Sequence, residues 1–167
     1  LAIVSLDDDA DFREYIRTVL EGEGHDVRTA ATPEEFFLTC RERLPDIALI
    51  DMKMPAMDGM EVLREIKGID PTLGVLLVTG HGTVELCRRA FKAGAAEFLE
   101  KPVDDEQLLD ALQHAVRAHV RSRERRAAEH PQEEPDDLAH ANATAEGHGR
   151  DREREDRVEA GHHDPPL

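Results

Sequence analysis

The stretch AIVSLDDDADFREYIRTVLEGEG, residues 2–24, places a strand pattern directly before a helical one. Residues 2–6 form a short apolar run, which is typical of a buried strand. After three aspartates, four apolar side chains recur at the spacing of one helix face: Phe12, Ile16, Val19 and Leu20. Two glycines then end the helical pattern. The stretch therefore predicts a strand and a helix joined by an acidic loop.

The same unit of strand and then helix recurs four more times along the chain. Further strands are predicted at 26–30, 46–50, 74–79 and 96–100, and further helical stretches at 32–44, 58–68, 83–94 and 104–120. Short crossovers of this kind require parallel strands, and strands this apolar are covered by helices on both faces. The sequence therefore predicts an α/β fold with a doubly wound, five-stranded parallel sheet, (βα)5.

Charge and hydropathy exclude several classes of protein. The chain of 167 residues has 37 acidic and 21 basic side chains and a net charge of −16, which argues against nonspecific binding to nucleic acid or to anionic membranes. The sequence has no apolar run of the length that a membrane span requires, and no signal peptide is visible. Leu1 in place of Met suggests a trimmed start. Cys40 and Cys87 are too few for a disulfide framework and are expected to be reduced core thiols of a cytoplasmic protein.

The C-terminal part of the chain differs from the rest in apolar content. Between 121 and 167, the large apolar side chains are limited to Leu138, Val158 and Leu167. Such a segment cannot bury enough apolar surface to offset the entropy of ordering it. We therefore expect a folded domain at 1–120 and a charged tail at 121–167, in which the last helix extends to about residue 130 and disorder follows.

Polar side chains gather where the predicted strands end. Asp7 and Asp8 follow the first strand, and Asp51 follows the third. Thr79 ends the fourth strand, and Lys101 follows the fifth. Ligands of open parallel sheets bind beyond the carboxyl ends of the strands, at the point where the strand order reverses. If the first and third strands are neighbours, these five side chains meet at one edge of the sheet.

The acidic cluster itself predicts a bound cation. Asp9 is the expected N-cap of the first helix, whereas Asp7 and Asp8 are not needed for capping. Clustered carboxylates repel one another unless a cation offsets their charge, and hard oxygen ligands favour Mg²⁺. A nucleophilic carboxylate, a metal site, a hydroxyl group and an ammonium group form a complete set for phosphoryl transfer.

Four motifs carry a family resemblance: LDDD (6–9), DMKMPAMDGMEVL (51–63), VLLVTGHG (75–82) and KAGAAEFLEKP (92–102). In this order and spacing they resemble the receiver domain of bacterial two-component response regulators, and the match extends from residue 1 to about 120. The resemblance implies the flavodoxin-like strand order 2-1-3-4-5. The last two motifs are similar to those of regulators of nitrogen metabolism and fixation, which usually control transcription.

The resemblance also assigns roles to the acidic residues. Asp51 matches the residue that accepts the phosphoryl group. Asp8 matches a direct ligand of Mg²⁺, and Asp7 matches the acid that reaches the ion mainly through water. Lys53 matches the position that supplies a backbone carbonyl group to the ion.

Three further residues match positions that bind the phosphoryl group or respond to it. Thr79 and Lys101 match the hydroxyl group and the lysine that contact the phosphoryl oxygens, and Phe98 matches the aromatic switch position. The implied partner is a histidine kinase or a phosphotransfer protein. The implied response is a change in the surface of helix 4, strand 5 and helix 5, with dimerisation through that surface. The protein is then a phospho-acceptor that assists its own phosphorylation and dephosphorylation, not an ordinary enzyme.

Two other functions compete with this interpretation. A haloacid-dehalogenase-like phosphatase would use Asp7, Asp9, Thr79, Lys101 and the pair at 104–105, but it leaves Asp51 without a role. A flavodoxin-like flavin carrier needs a phosphate loop after the first strand, where three aspartates would repel the phosphate.

The tail leaves two alternatives open. The protein is either a stand-alone receiver that acts through protein contacts without DNA binding, or its tail is a truncated or out-of-frame end that replaces a helix-turn-helix domain. The sequence from 121 onward shows no apolar periodicity from which such a domain could be built.

Overall fold

The computed structural model describes residues 1–131. Its strands are β1 (Ala2–Leu6), β2 (Asp26–Ala30), β3 (Ile47–Asp51), β4 (Gly74–Thr79) and β5 (Glu97–Glu100). Its helices are α1 (Ala10–Gly22), α2 (Pro33–Glu42), α3 (Gly59–Ile69), α4 (Val84–Lys92) and α5 (Asp105–Glu129). The predicted alternation of strand and helix is therefore confirmed, with shifts of one or two residues at several boundaries.

All strand pairs of the sheet are parallel, and their order is β2-β1-β3-β4-β5. The strand order that the family resemblance implied is therefore confirmed. The strand β2 is added on one side of β1, and β3 and the later strands are added on the other side, so the strand order reverses between the neighbours β1 and β3. The carboxyl ends of these two strands consequently lie side by side, at the place where such folds bind ligands.

The sheet has an apolar core on each face, as doubly wound folds require. One core contains buried side chains of α2, α3 and α4, with Phe36, Met60 and Leu63 among them. The other contains buried side chains of α1 and α5, with Ile16, Leu20 and Leu108 among them. Cys40 is buried as predicted, whereas Cys87 on α4 is partly exposed.

A long-range contact explains where α2 ends, and a left-handed glycine explains where α4 ends. The prediction extended α2 to residue 44, but Arg28 of β2 donates hydrogen bonds to the backbone oxygens of Thr39 (2.8 Å) and Arg43 (2.6 Å). Arg43 is extended and ends the helix. The prediction extended α4 to Gly94, which instead follows the helix end with a φ of 100°. A left-handed residue cannot continue a right-handed helix, so Gly94 ends α4.

The C-terminal helix α5 is continuous to Glu129. Buried His119 anchors it, because its Nδ1 lies 2.7 Å from the backbone oxygen of Thr72. Beyond His119, Arg126 approaches Asp70 at 3.9 Å. Within residues 1–131, no helix combines the length and the apolar character needed to cross a membrane. The predicted disorder of the tail lies outside the described residues.

Candidate functional site

The acidic side chains lie at the carboxyl ends of β1 and β3. Asp7 directly follows β1, and its backbone N–H donates to the backbone oxygen of Ala30 at 3.1 Å. Asp51 is the last residue of β3, one residue further than predicted. Because β1 and β3 pair in parallel, their ends carry the two carboxylates to the same edge of the sheet.

Three carboxylates form one cluster at this edge. Oxygens of Asp7, Asp8 and Asp51 all lie within 4.8 Å of one another. Asp7 and Asp51 are buried, with 1% and 6% of their surface exposed, whereas Asp8 is exposed. The site thus has two buried carboxylates and one that is exposed to solvent.

Asp9 belongs to the helix and not to the cluster. Its carboxylate accepts hydrogen bonds from the backbone N–H groups of Asp11 (2.9 Å) and Phe12 (3.3 Å), which makes it the N-cap of α1 as predicted. In turn, the backbone N–H of Asp9 donates to Oδ1 of Asp7 at 2.9 Å. The helix start therefore orients the Asp7 carboxylate.

Lys101 places an ammonium group beside the buried acids. Its Nζ lies 2.8 Å from Oδ2 of Asp7 and 3.9 Å from Oδ1 of Asp51. Its backbone N–H donates to the backbone oxygen of Thr79 at 2.7 Å, which fixes the residue against the end of β4. The structure thus brings together four of the residues that the sequence singled out.

The electrostatic environment of Asp51 disfavours its charge. Burial and the negative charge of Asp7 raise the pKa of Asp51 to about 6. Lys101 and the backbone N–H of Lys53 lower the same pKa, but their combined effect is smaller. Negative charge at the cluster is therefore only partly offset by the protein itself.

Thr79 and Phe98 lie on neighbouring strands beside the cluster. Thr79 is buried, and its Oγ1 accepts a hydrogen bond from the backbone N–H of His81 at 3.2 Å. Its hydroxyl hydrogen is left free to be donated elsewhere. Phe98 is partly buried against the core. A Cβ at Gly82 would lie 3.1 Å from the Phe98 ring and 3.6 Å from the Thr79 methyl group, so Gly82 lies next to both side chains.

The loop after β3 approaches the site closely. The backbone N–H of Lys53 lies 3.5 Å from Oδ1 of Asp51, a long hydrogen bond. A Cβ at Gly59 would lie 2.5 Å from the backbone oxygen of Asp51 and 2.8 Å from the Cα of Met52. Only a residue without a side chain lets α3 begin this close to the end of β3. The role of Gly59 was not predicted from the sequence.

Two residues of α1 contact the site and were also missed. The guanidinium of Arg13 donates to the backbone oxygen of Asp7 at 2.7 Å. The ring centroid of Phe12 lies 4.2 Å from the ammonium nitrogen of Lys101. The sequence showed Phe12 only as part of the apolar helix face, which gave no signal of its contact with Lys101.

The donor set fits a magnesium ion. It offers carboxylate oxygens from three residues, one of them open to solvent, and Mg²⁺ prefers oxygen ligands while keeping several waters. Burial and the neighbouring Asp7 carboxylate raise the pKa of Asp51, and a bound cation would offset that effect. Lys53 contacts the cluster through its backbone N–H, and its carbonyl group stays a predicted ligand.

The geometry does not favour the rival phosphatase. Asp9 and Asp104, which that mechanism needs as catalytic acids, accept backbone hydrogen bonds as the N-caps of α1 and α5. Asp105 accepts a hydrogen bond from the hydroxyl of Tyr15 at 2.9 Å. Asp51, which that mechanism leaves unused, is one of the three carboxylates of the cluster.

The fold and the acidic edge define a protein of the receiver class. Residues 3–113 match the family model described as the response regulator receiver domain. The chain therefore belongs to the response regulator receiver domain family. Domains of this family are phospho-acceptors and not classical enzymes.

Relatives and solved structures agree with this assignment. The chain is 35% identical over 119 residues to the transcriptional regulatory protein ZraR of Salmonella typhimurium, covering 71% of this chain and 27% of ZraR. It is 34% identical over 119 residues to the transcriptional regulatory protein FixJ of Bradyrhizobium diazoefficiens, covering 69% of this chain and 56% of FixJ. The beryllofluoride-activated NtrC4 receiver domain dimer is 33% identical, with a TM-score of 0.67, covering 70% of this chain and 97% of that one. The chain thus spans about a quarter of ZraR and about half of FixJ.

Proposed function

We propose that this protein is the receiver of a two-component system in which Asp51 accepts a phosphoryl group from a histidine kinase or a phosphotransfer protein. The observation that carries the proposal is the position of Asp51, which is buried, forms a cluster with the carboxylates of Asp7 and Asp8, and lies 3.9 Å from the Lys101 ammonium. The carboxyl end of β3 lies at the edge of the sheet where folds of this kind bind their ligands, so a donor would approach Asp51 from that edge.

The chemical step is an in-line displacement at phosphorus. An oxygen of the Asp51 carboxylate forms a bond to phosphorus while the bond from phosphorus to the donor nitrogen breaks, and the histidine keeps the bonding electrons. Magnesium, when bound, neutralises charge on the phosphoryl oxygens. Asp8 and Asp51 would hold the ion directly, with Asp7 acting through water and Lys53 through its backbone carbonyl.

Lys101 and Thr79 complete the electrostatic environment of the phosphoryl group. The Lys101 ammonium is already 3.9 Å from Asp51, close enough to pair with a phosphoryl oxygen after a small movement. The Thr79 oxygen accepts a hydrogen bond from the backbone N–H of His81. The hydroxyl hydrogen is therefore still available to donate to a phosphoryl oxygen. Both groups favour charge that develops on oxygen as the phosphoryl group is transferred.

The response involves Thr79 and Phe98. A phosphoryl group on Asp51 adds acceptor oxygens that attract the Thr79 hydroxyl. Gly82 lies next to both the Thr79 methyl group and the Phe98 ring. We infer that a movement of Thr79 frees space next to Phe98. An inward turn of Phe98 would change the surface formed by α4, β5 and α5.

That surface is suited to pairing with a second copy. Helix α4 exposes two large apolar side chains, Val84 (79%) and Phe91 (48%). Exposed apolar groups on one helix favour a protein contact. The related NtrC4 receiver domain is a dimer in its beryllofluoride-activated form. We therefore propose that phosphorylation promotes dimerisation through this surface.

The proposed output is control of transcription in the cytoplasm. Support comes from the relatives ZraR and FixJ, both described as transcriptional regulatory proteins. We propose a receiver domain at 1–120 with a charged tail at 121–167. Action by protein contact alone remains the alternative output, and the charge balance of the chain argues against direct nucleic-acid binding by the receiver domain.

Acetyl phosphate tests the proposed acceptor without a kinase. Incubated with this small-molecule donor and Mg²⁺, the wild-type protein should gain one phosphoryl group, located at Asp51 by peptide mass spectrometry. Asp51→Asn should gain none, and a chelator should prevent labelling of the wild type. Turnover of a generic phosphomonoester without stable labelling, or labelling at a different residue, would contradict the proposal.

A further inference from the structure

The aromatic ring of Phe12 contacts the ammonium group that faces the acidic cluster. The centroid of the ring lies 4.2 Å from Nζ of Lys101, within the range of a cation–π interaction. The same nitrogen lies 2.8 Å from Asp7 and 3.9 Å from Asp51. Lys101 is thus held between two carboxylates and one aromatic ring.

A lysine side chain needs such a support to hold one position. Its flexible four-carbon stem can adopt many rotamers, and its ammonium group is strongly hydrated in water. The hydrogen bond to Thr79 fixes the backbone of Lys101 but not its side chain, of which 24% is exposed. A ring face beside the ammonium replaces part of its water and disfavours rotamers that point away from the acids.

The ring itself is held in place. Phe12 is partly buried against the core formed with α1 and α5, and its ring packs on Tyr15 with centroids 5.9 Å apart. The Tyr15 hydroxyl donates to Asp105 at 2.9 Å, which connects α1 to the first turn of α5. The position of the ring is therefore fixed by a second element of the fold.

We propose that Phe12 is a positioning residue for phosphoryl transfer: its ring holds the Lys101 ammonium against Asp7 and Asp51 before the phosphoryl group arrives. This inference rests on the proposed function of Asp51 as the acceptor. In this role Phe12 acts through Lys101 alone.

The test compares a variant that removes the ring face with one that keeps it. In initial-rate labelling with acetyl phosphate at saturating Mg²⁺, Phe12→Leu should label about three- to tenfold more slowly than the wild type. Phe12→Tyr, which keeps the ring face, should label within about twofold of the wild type. Thermal unfolding identifies any loss of folded protein, and rates are compared per folded molecule.

A double-mutant cycle separates positioning from a general structural effect. In a Lys101→Met background, where no ammonium remains, Phe12→Leu should cause no further slowing. The inference is overturned if Phe12→Leu labels at the wild-type rate, if Phe12→Tyr is as slow as Phe12→Leu, or if Phe12→Leu slows Lys101→Met by the same factor. Failure of the wild type itself to label at Asp51 would instead overturn the proposed function.

Discussion

At the scale of single residues, Asp51 combines burial with negative charge. Only 6% of its surface is exposed, and another buried carboxylate lies beside it. Both features favour the protonated form and raise the pKa of Asp51 to about 6. A bound cation would lower the free-energy cost of keeping this carboxylate charged.

Replacement of Asp51 should therefore stabilise the metal-free protein in a pH-dependent way. A raised folded-state pKa contributes stability below the unfolded pKa, near 4, and this contribution is lost as the pH rises through 6. The difference in unfolding free energy between Asp51→Asn and the wild type should grow from pH 4 to pH 7 by about 2 kcal/mol. Urea unfolding in the presence of a chelator measures this difference. A gain that stays constant across this pH range would contradict the assigned environment of Asp51.

At this scale, the sequence identified charged residues in unexpected positions but missed residues whose role depends on tertiary contacts. Three adjacent aspartates and an isolated lysine after a strand were visible as anomalies. Arg13 and Phe12 were not, because their contacts with Asp7 and Lys101 depend on how α1 packs across the strand ends. A cation–π contact between residues 12 and 101 leaves no local pattern in the sequence.

At the scale of elements, the start of α3 is constrained by the end of β3. Gly59 is the first residue of the helix, and Asp58 caps it by accepting from the backbone N–H of Met60. The N–H of Gly59 donates to the backbone oxygen of Met52 at 3.1 Å, which ties the helix start to the residue after Asp51. The position of α3 therefore affects the geometry of the site.

Two glycines of the same helix should respond in opposite directions to alanine. Gly59→Ala should destabilise the protein by about 2 kcal/mol, because its Cβ would overlap the backbone of Asp51 and Met52. Gly68→Ala should stabilise it by about 0.5 kcal/mol, because its Cβ meets no atom within 4 Å and alanine favours the helix. Chemical denaturation of both variants measures the effects. Equal losses at the two positions would argue against the close packing of α3 on β3.

Helix boundaries were predicted well where local signals set them and less well where distant residues do. Thr32 and Asp104 cap α2 and α5 through short-range hydrogen bonds that sequence rules anticipate. The end of α2 depends on Arg28, which reaches its last carbonyl groups from β2. Periodicity within the helix contains no information about that contact.

At the scale of the whole molecule, α4 presents the exposed apolar surface expected of a phosphorylation-dependent interface. In gel filtration with beryllofluoride and Mg²⁺, the wild type should elute as a dimer and should remain a monomer without them. Phe91→Glu should prevent this change, because a charge at a half-exposed apolar contact must be desolvated on pairing.

A matched control uses an apolar side chain of similar exposure on a different helix. Leu38 of α2 is 51% exposed, compared with 48% for Phe91, so Leu38→Glu makes a comparable change to the free protein. Leu38→Glu should dimerise like the wild type. An unchanged elution volume of the activated wild type, or equal loss of dimer in both variants, would exclude α4 as the interface.

The central claim is that Asp7, Asp8 and Asp51 form a divalent cation site, and calorimetric titration with Mg²⁺ tests it most directly. We expect the wild type to bind one Mg²⁺ per chain, and Asp8→Asn and Asp51→Asn to bind at least about tenfold more weakly. Asp9→Asn is the matched control: it removes an adjacent charge but keeps the cap, so its affinity should stay within about threefold of the wild type. No saturable binding by the wild type, or equal affinity in Asp8→Asn, would contradict the claim.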